Sequence, residues 1–433
     1  MEAQALAKGG EAVNPYGALA KFFKAYFYTK MSLQMGDIPM DSALQGAKVL
    51  TPSYNTQKEV FVQAFKWLED ANADLAQLTA SASSNTAEGQ VLKGDIYFGN
   101  NLSRWQKTVN TFRIRLLIEL SKKADDADLQ IRQQFTQMLV DKPQQYPLME
   151  SMDDNLQYTY VHPTNDYPNN PGNFGFDALR YNASDTYTGL LAGLKDPRVF
   201  VTMEPASALL AGGVSATSFD AFVGASAGED LGVMYTKTNA GKYSLINRHR
   251  YYDTFTGEPS IQIGYPELCF NIAEAINRGW ITGDAEEYYR KGIHASMMFY
   301  GIPDSGPMTV YFLHQGASLG TYDTYTVNVD LNAYYAQPSV SYKGNNEAGL
   351  RQILEQRYLA LFRHSGLEAY YQFRRTGIPA FGIGPGTGNS ERIAMRFPYP
   401  LIERTANAKN YSDALNSQYN GNDDINGIMW LLK

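Results

Sequence analysis

The sequence is poor in cysteine, since Cys269 is the only one among its 433 residues. A single cysteine excludes any disulfide within the chain and leaves the redox compartment undecided. Cys269 lies in the apolar segment PELCFNIAEA. We predict it to be a small core residue, because a reactive thiol needs an accessible, electropositive site.

Long apolar runs and an excess of basic residues are also missing. No segment approaches the ~20 apolar residues that a membrane-spanning helix requires. The N-terminal MEAQALAKGG has neither the basic nor the apolar part of a secretory signal. The net charge is −7 and the isoelectric point is near 5.4, which argues against nucleic-acid binding. The chain is thus expected to be either a cytoplasmic protein or a protein from which the targeting residues were removed.

Motifs for catalysis or metal binding are weak. The five histidines have no spacing typical of metal ligands, and no metal or cofactor is expected. Two segments match the G-x-S-x-G pattern of serine hydrolases, at Ser226 and Ser318, but neither continues as the helix that this pattern requires. Segment 382–392 lacks the lysine of a phosphate-binding loop. Segment 420–427 lacks the distal glutamate of a calcium loop, although calcium there stays an open alternative. No enzymatic activity is predicted.

Helical periodicity predicts a mainly α protein built on a scaffold of paired helices. Asn14 is the predicted N-cap of the first long helix, and capping boxes are predicted at Thr56/Glu59 and Ser103/Gln106. The predicted helical segments are 14–142, with its fourth helix around 127–141, then 264–302 and 345–379.

The clearest helical pair occupies residues 264–303. An acidic pair, Asp284 and Glu287, is the predicted N-terminal signal of its second helix. Small residues between positions 292 and 296 allow a neighbouring helix to approach closely. A hairpin of roughly 35 residues with small residues on its inner face and a closing proline is typical of tetratricopeptide-like repeats.

Two adjacent arginines, Arg374 and Arg375, come just before Gly377 and Pro379. We predict that they lie in the last turn of a helix, where cations complement the exposed carbonyl groups. Gly377 then supplies a left-handed cap and Pro379 prevents continuation. The alternative is a clamp for an anionic ligand.

Two long regions, 145–262 and 303–345, lack helical period and contain short β-like runs such as MTVYFL and YTVNV. They hold many of the 31 tyrosines, whose rings combine an apolar face with a polar edge. Rings beside amide and guanidinium groups suit a sugar, so these regions form the predicted binding side. The alternative is that the aromatic rings hold the loops in place. The predicted ligand-binding residues are Asn165, Tyr167, Asn173, Phe174, Arg180, Tyr181, Tyr251 and Tyr252.

Three segments resemble signature blocks of the SusD/RagB-like proteins of the Bacteroidetes outer membrane. They are KFFKAYFYTKMSLQMGDIP, FNIAEAINRGWITGDAEEYYRKGIHASMMFYGI and ILEQRYLALFRHSGLEAYYQFRRTGIPAF. The second and third are similar to the R-G-W…G-D-A and R-R-T-G-x-P blocks of one branch of that family. These segments belong to the scaffold. The ligand residues of the family lie in variable loops, so none can be transferred to this sequence.

The resemblance implies a single SusD-like domain over residues 1–433, with a tetratricopeptide-like scaffold and an irregular binding side. It implies a non-catalytic protein that captures oligosaccharides and acts with a SusC-like TonB-dependent transporter. Peptide capture within the same superfamily is the alternative. A serine or glycoside hydrolase and a protein-interaction scaffold are the remaining hypotheses.

The resemblance also implies a lipoprotein on the extracellular face of the outer membrane. Members of the family carry a lipoprotein signal, an acylated cysteine and more chain before the helix that contains the segment FFKAYFY of this sequence. Membrane association through an N-terminal lipid anchor is therefore expected of the natural protein, with the anchor cysteine missing from this sequence.

Overall fold

The computed structural model of the chain describes residues 2–81, 87–177 and 181–433. Most of its regular structure is helical, so the predicted mainly α architecture is confirmed. The α-helices are α1 (Glu2–Ala7), α2 (Pro15–Met35), α3 (Gln57–Ala80), α4 (Leu102–Glu119), α5 (Ile131–Thr136), α6 (Phe174–Asp177), α7 (Asp185–Gly193), α8 (Val199–Thr202), α9 (Ser207–Ala211), α10 (Leu231–Asn239), α11 (Arg248–Tyr252), α12 (Tyr265–Asn277), α13 (Ala285–Phe299), α14 (Leu331–Ala336), α15 (Glu347–Ala360), α16 (Glu368–Thr376), α17 (Glu403–Ala406) and α18 (Ala408–Tyr419). Helix α5 continues as one π-helical turn to Asp141.

The strands form three antiparallel pairs, β1–β2, β3–β4 and β5–β6. They are β1 (Ile38–Pro39), β2 (Tyr54–Asn55), β3 (Leu156–Tyr158), β4 (Ser260–Ile263), β5 (Ser305–Leu313) and β6 (Tyr322–Asp330). The 3₁₀-helices are Gly46–Lys48, Glu88–Gln90, Ser121–Lys123, Met152–Asp154, Phe219–Ala221, Pro385–Thr387 and Trp430–Leu432. The hairpin β5–β6 contains both predicted β-like runs, in register from Ser305↔Asp330 to Leu313↔Tyr322.

The region 145–262 contains more helix than its sequence period suggested. Helices α6 to α11 have nine residues or fewer, and such short helices complete too few turns for apolar residues to show a 3.6-residue period.

Capping residues explain where the long helices begin. Thr56 and Glu59 make both hydrogen bonds of the predicted capping box at α3. The predicted box at Ser103 and Gln106 is wrong. The side chain of Asn101 accepts a hydrogen bond from the Arg104 amide at 3.1 Å, and α4 begins at Leu102. Asn is as good an N-cap as Ser, and the earlier start adds two residues to the helix.

Helix α12 lies between two apolar cores. Leu268 and Ile272 pack into a first core with helices α2, α3 and α4. Phe270 and Ala273 pack into a second core with α13, α15 and the β5–β6 hairpin. Burial on both sides of α12 explains the apolar residues on two of its faces. A third face is a buried polar stripe that binds arginines of α15 and α16, formed by Glu267, Asn271 and Glu274.

The close contact between α12 and α13 depends on Gly292, as the small residues of the sequence predicted. A Cβ atom at position 292 would lie 2.7 Å from the ring of Phe270. No real side chain packs that closely, so a larger residue would push the two helices apart.

We expect Gly292→Ala to lower the free energy of unfolding by about 1–3 kcal/mol through overpacking. Gly189 in helix α7 is the matched control, because an added Cβ there meets nothing within 4 Å. Gly189→Ala should instead raise stability by about 0.5–1 kcal/mol, since alanine is the better helix former. Denaturant unfolding measures the change in the free energy of unfolding for each variant. A change of the same sign in both variants would contradict this packing account.

Arg374 and Arg375 lie in the last turn of α16 as predicted, but both are buried and bind partners outside the helix. Gly377 is the predicted left-handed cap of α16, with φ of 73°. The guanidinium of Arg374 donates to the carbonyl groups of Leu33 and Met395. Arg375 makes a bidentate ion pair with Glu274 of α12. The arginines therefore join α16 to other elements, and neither is a clamp for a ligand.

The pair of Arg375 with Glu274 makes stability depend on pH. Burial alone would raise the pKa of Glu274, but Arg375 and Arg278 outweigh it and lower the pKa to about 2. An unfolded glutamate titrates near pH ~4.3. The lowered pKa therefore contributes about 3 kcal/mol of stability above that pH, and the contribution is lost as pH falls toward 2.

We expect Glu274→Gln to have a lower free energy of unfolding than the natural chain. The difference between the two should be constant above pH ~5 and smaller by about 2 kcal/mol at pH 3. Urea unfolding at pH 7, 5 and 3 measures this difference. Glu287→Gln is the control, because its ion pair with Lys291 is exposed and such pairs contribute ~0–1 kcal/mol. A difference in unfolding free energy that is the same at pH 3 as at pH 7 would contradict the lowered pKa of Glu274.

Candidate functional site

The largest pocket has a volume of about 920 Å³, near the upper end of the usual range for small-molecule sites. It opens between helix α11, the C-terminal end of α13, strand β5 and residues 151–157. All but the end of α13 belong to the two regions that the sequence predicted as the binding side. The polar and aromatic residues that line it include Asp153, Asn247, His249, Arg250, Asp253, Glu258, Phe299, Tyr300 and Tyr311.

One wall of the pocket is aromatic. The rings of His249 and Tyr311 stack with centroids 4.3 Å apart and planes 18° apart, and Tyr322 meets His249 edge-on. Tyr311 stays 37% exposed. It presents a flat apolar face with a polar edge, which is the surface that a sugar ring can stack on.

Asn247 fixes the position of this wall. Its side-chain oxygen caps α11 by accepting a hydrogen bond from the Arg250 amide at 2.8 Å. Its side-chain nitrogen donates to the carbonyl of Tyr311 at 3.0 Å. Because one buried residue joins α11 to β5, the stacked rings are held by the backbone of two elements.

The floor of the pocket is polar. Arg250 donates to Glu258 Oε2 at 2.7 Å, and its guanidinium lies 4.6 Å from the centre of the Tyr300 ring. Within the described residues, Glu258 Oε1 and the Tyr300 hydroxyl have no hydrogen-bond partner, although both are buried. Buried polar atoms without partners are costly. Both atoms are closed off from solvent, so a ligand cannot reach them in this conformation and they belong to the packing beneath the floor.

A neutral imidazole lies behind this floor. His364 Nε2 is 3.7 Å from Glu258 Oε1. Burial lowers the pKa of His364 to about 3, and the Arg250 and Arg363 guanidinium groups add to the shift. Burial also raises the pKa of Glu258, against the opposing effect of Arg250. Since His364 carries no charge at neutral pH, Arg250 is the cation that balances Glu258 in the floor.

The rim of the pocket carries two further carboxylates. Asp253 Oδ1 accepts a hydrogen bond from the Tyr322 hydroxyl at 2.9 Å, and Oδ2 lies 3.7 Å from His249 Nε2. Asp153 is exposed and lies within the 3₁₀-helix Met152–Asp154, which also borders the pocket. The arrangement offers stacking on one wall and hydrogen-bond acceptors around it, which is suited to binding a polyhydroxylated ligand.

Three of the predicted site residues are buried. Tyr251 and Tyr252 lie on the face of α11 that points into the second core, and both are fully buried. Tyr167 is also buried, and a Cβ at Gly257 would lie 2.2 Å from its ring. It supports the 254–258 segment, since its amide donates to the carbonyl of Phe255. These three rings support the pocket wall from behind.

The other predicted residues lie around the 161–181 loop. Asn165 is exposed and donates to the Tyr158 hydroxyl at 2.6 Å. Asn173 accepts from the Asn170 amide at 3.0 Å. Phe174 packs edge-on against Tyr252 at 5.3 Å. Tyr181 is exposed, and Arg180 lies outside the described residues. None of the seven predicted residues that the structure describes lines the pocket, and the role of all eight in ligand binding stays a prediction.

Sequence reasoning missed His249, Arg250, Asp253 and Tyr311. In helix α11 the tyrosines are buried, and His249 and Arg250 face the pocket. Five residues are too few to show this pattern as a helical period. Tyr311 could have been found, because β5 alternates between buried residues such as Val310 and exposed ones.

The serine motifs do not form nucleophile elbows. Ser318 lies in the turn between β5 and β6, where a strand follows it. Ser226 Oγ accepts from the Gly228 amide at 3.3 Å in an irregular segment. Within the ranges that the structure describes, no group of three or more His, Cys, Asp or Glu residues could hold a metal ion. None of the described helices combines the length and apolar character needed to cross a lipid bilayer.

Comparisons with known proteins agree with this architecture. The SusD-like family model, described as starch-binding associating with outer membrane, matches residues 1–400. A SusD homolog from Bacteroides fragilis has a similar structure, with a TM-score of 0.83 and 35% sequence identity, over 97% of this chain and 84% of the other. No curated protein matches the chain.

Two further solved structures are similar. An outer-membrane protein from Bacteroides vulgatus, described in terms of nutrient binding, has a TM-score of 0.79 and 28% identity over 98% of this chain and 86% of its own. A chitin-binding protein has a TM-score of 0.73 and 23% identity over 99% of this chain and 84% of its own. The resemblance seen in the sequence is thereby confirmed, and so is the predicted fold.

Proposed function

Since this chain belongs to the SusD-like family, we propose that it captures oligosaccharides at the outer membrane without cleaving them. The observation that carries the proposal is the open pocket with the Tyr311–His249 stack on one wall and the carboxylates of Asp153 and Asp253 at its rim. The description of the family as starch-binding supports the same class of ligand.

The chemistry of the pocket supports binding in two ways. The apolar C–H face of a sugar ring would stack on Tyr311, as apolar rings do on aromatic surfaces. Sugar hydroxyl groups would donate to the carboxylates of Asp253 and Asp153, which line the pocket and are not buried. An open pocket of this shape also lets a longer chain extend beyond it.

Peptide capture by strand addition has less support. The natural place for an added strand is the outer edge of β5, which borders the pocket. That edge is already occupied at two points, because Asn247 donates to the Tyr311 carbonyl and the Leu313 amide donates to Glu204 Oε2 at 3.0 Å. A peptide would have to displace both side chains.

The wider role is nutrient uptake together with a SusC-like TonB-dependent outer-membrane transporter. In this proposal the chain is a single SusD-like domain, held at the extracellular face by a lipid anchor. The description of the family as associating with the outer membrane supports this part.

The test is calorimetric titration of the protein with a panel of oligosaccharides. Starch and chitin fragments come first, because relatives carry those names, followed by plant and host glycans and a peptide mixture. We expect micromolar-to-millimolar binding of at least one oligosaccharide and no release of shorter products over hours. Peptide binding alone would replace the proposal with its alternative, and release of products would contradict a non-catalytic role.

A further inference from the structure

We infer that the pocket selects its ligands by charge, so that neutral and amine-bearing oligosaccharides bind and anionic ones are excluded. The inference rests on the proposed function and adds the charge class of the ligand to it. It follows from which ionisable groups face the pocket and from which of them already have partners.

Carboxylates outnumber cations around the pocket. Asp153, Asp253 and Glu258 line it, against the single guanidinium of Arg250. Among the lining residues in the described part of the chain, none is a lysine. The ion pair of Arg250 with Glu258 uses the one strong cation within the pocket itself. A carboxylate, sulfate or phosphate on a ligand would therefore find no free cation to pair with.

The carboxylates also keep free capacity for hydrogen-bond donors. This holds for the two rim residues, Asp153 and Asp253, whereas Glu258 Oε1 is closed off from the pocket. The carboxylate of Asp153 has no ion pair or hydrogen bond within the described ranges. Asp253 accepts one strong hydrogen bond, from Tyr322. Each of these oxygens can accept from a hydroxyl group, and an ammonium group would gain Coulomb attraction as well.

Simple electrostatics gives the expected size of the effect. One unit charge on a ligand about 6 Å from one uncompensated carboxylate changes affinity by roughly threefold in a water-like medium, and two carboxylates by about tenfold. Salt at about 0.01 M leaves a screening length of ~30 Å, which exceeds the size of the pocket, whereas 1 M salt reduces it to ~3 Å. A charge effect is thus clearest at low salt and fades at high salt.

The experiment uses three forms of whichever oligosaccharide binds best in the panel. Borohydride reduction of its reducing end gives a neutral alditol, reductive amination with ammonia gives an amino-alditol, and oxidation gives an aldonate. All three have the same glycan and an open-chain end, and they differ in charge. We expect the amino-alditol to bind about threefold to tenfold more tightly than the alditol at 0.01 M salt, and the aldonate to bind more weakly by a similar factor.

Two double variants distinguish the effect of the pocket carboxylates on affinity from the effect of the net negative charge of the whole chain. The double variant Asp153→Asn/Asp253→Asn should reduce the difference between amino-alditol and aldonate to about threefold or less. The double variant Asp141→Asn/Glu347→Gln removes two exposed carboxylates that do not line the pocket, and it should leave the difference unchanged. The difference should also shrink at 1 M salt.

The outcomes distinguish this inference from the function on which it rests. If the neutral alditol binds and all three forms bind equally at low salt, the charge selection is overturned and the proposed function stands. If both double variants reduce the difference equally, the effect belongs to the whole chain and the inference fails. If no oligosaccharide binds, the proposed function fails and this inference fails with it.

Discussion

Replacing Tyr311 by alanine is expected to weaken oligosaccharide binding at least tenfold without unfolding the protein. The ring forms the exposed part of the aromatic wall, and truncating an aromatic anchor at a binding surface costs about 2 kcal/mol or more. Such a loss corresponds to a factor above ten in the dissociation constant. Calorimetric titration with the best oligosaccharide of the panel measures it, and circular dichroism confirms that the fold is retained.

Two variants serve as controls for this prediction. Tyr311→Phe keeps the flat apolar face and should bind within about threefold of the natural chain. Tyr235 is 64% exposed on helix α10 and does not line the pocket, so Tyr235→Ala should bind normally. An equal loss of binding for Tyr311→Ala and Tyr235→Ala would contradict the assignment of the pocket.

Replacing Arg357 by methionine is expected to lower the free energy of unfolding by about 3–5 kcal/mol. The guanidinium is fully buried and donates to Glu267, Asn271 and Gln372 at 2.9 to 3.0 Å. Two further carboxylates, Glu119 and Glu368, lie 3.7 Å away. Removing the cation leaves these carboxylates close together in a low-dielectric core, which is more costly than losing the hydrogen bonds alone.

A second arginine on the same helix provides the control. Arg351 is exposed and pairs with Glu355 at 3.6 Å, and exposed pairs of this kind contribute ~0–1 kcal/mol. Arg351→Met should therefore change stability by less than about 1 kcal/mol. Denaturant unfolding compares the two variants directly, and similar values for both would show that the buried network does not hold α15 in place.

Local signals were enough to predict the scaffold. The periodic apolar residues of α3 and α12 and the caps at Thr56 and Asp284 act between residues that are close in sequence. The partners of Arg375 and Arg357 could not be predicted in the same way, because Glu274 and Glu267 are distant along the chain. Such contacts are determined by tertiary packing.

On the binding side as well, the sequence could not predict the role of single residues. Composition alone predicted that Tyr251 and Tyr252 bind the ligand, but it could not tell which residues of their segment face the solvent. Tyr251 and Tyr252 are buried, and their neighbours His249 and Arg250 line the pocket. A helix of five residues gives too little periodicity to make that distinction from sequence.

The measurement that tests the central claim most directly is a crystal structure of the protein with the best oligosaccharide of the panel. The account predicts a sugar ring stacked on Tyr311, with hydroxyl groups within hydrogen-bond distance of Asp253 and Asp153. A ligand bound instead over Asn165 and Tyr181 would place the site where the sequence alone predicted it. That result would contradict the assignment of the pocket between α11 and β5.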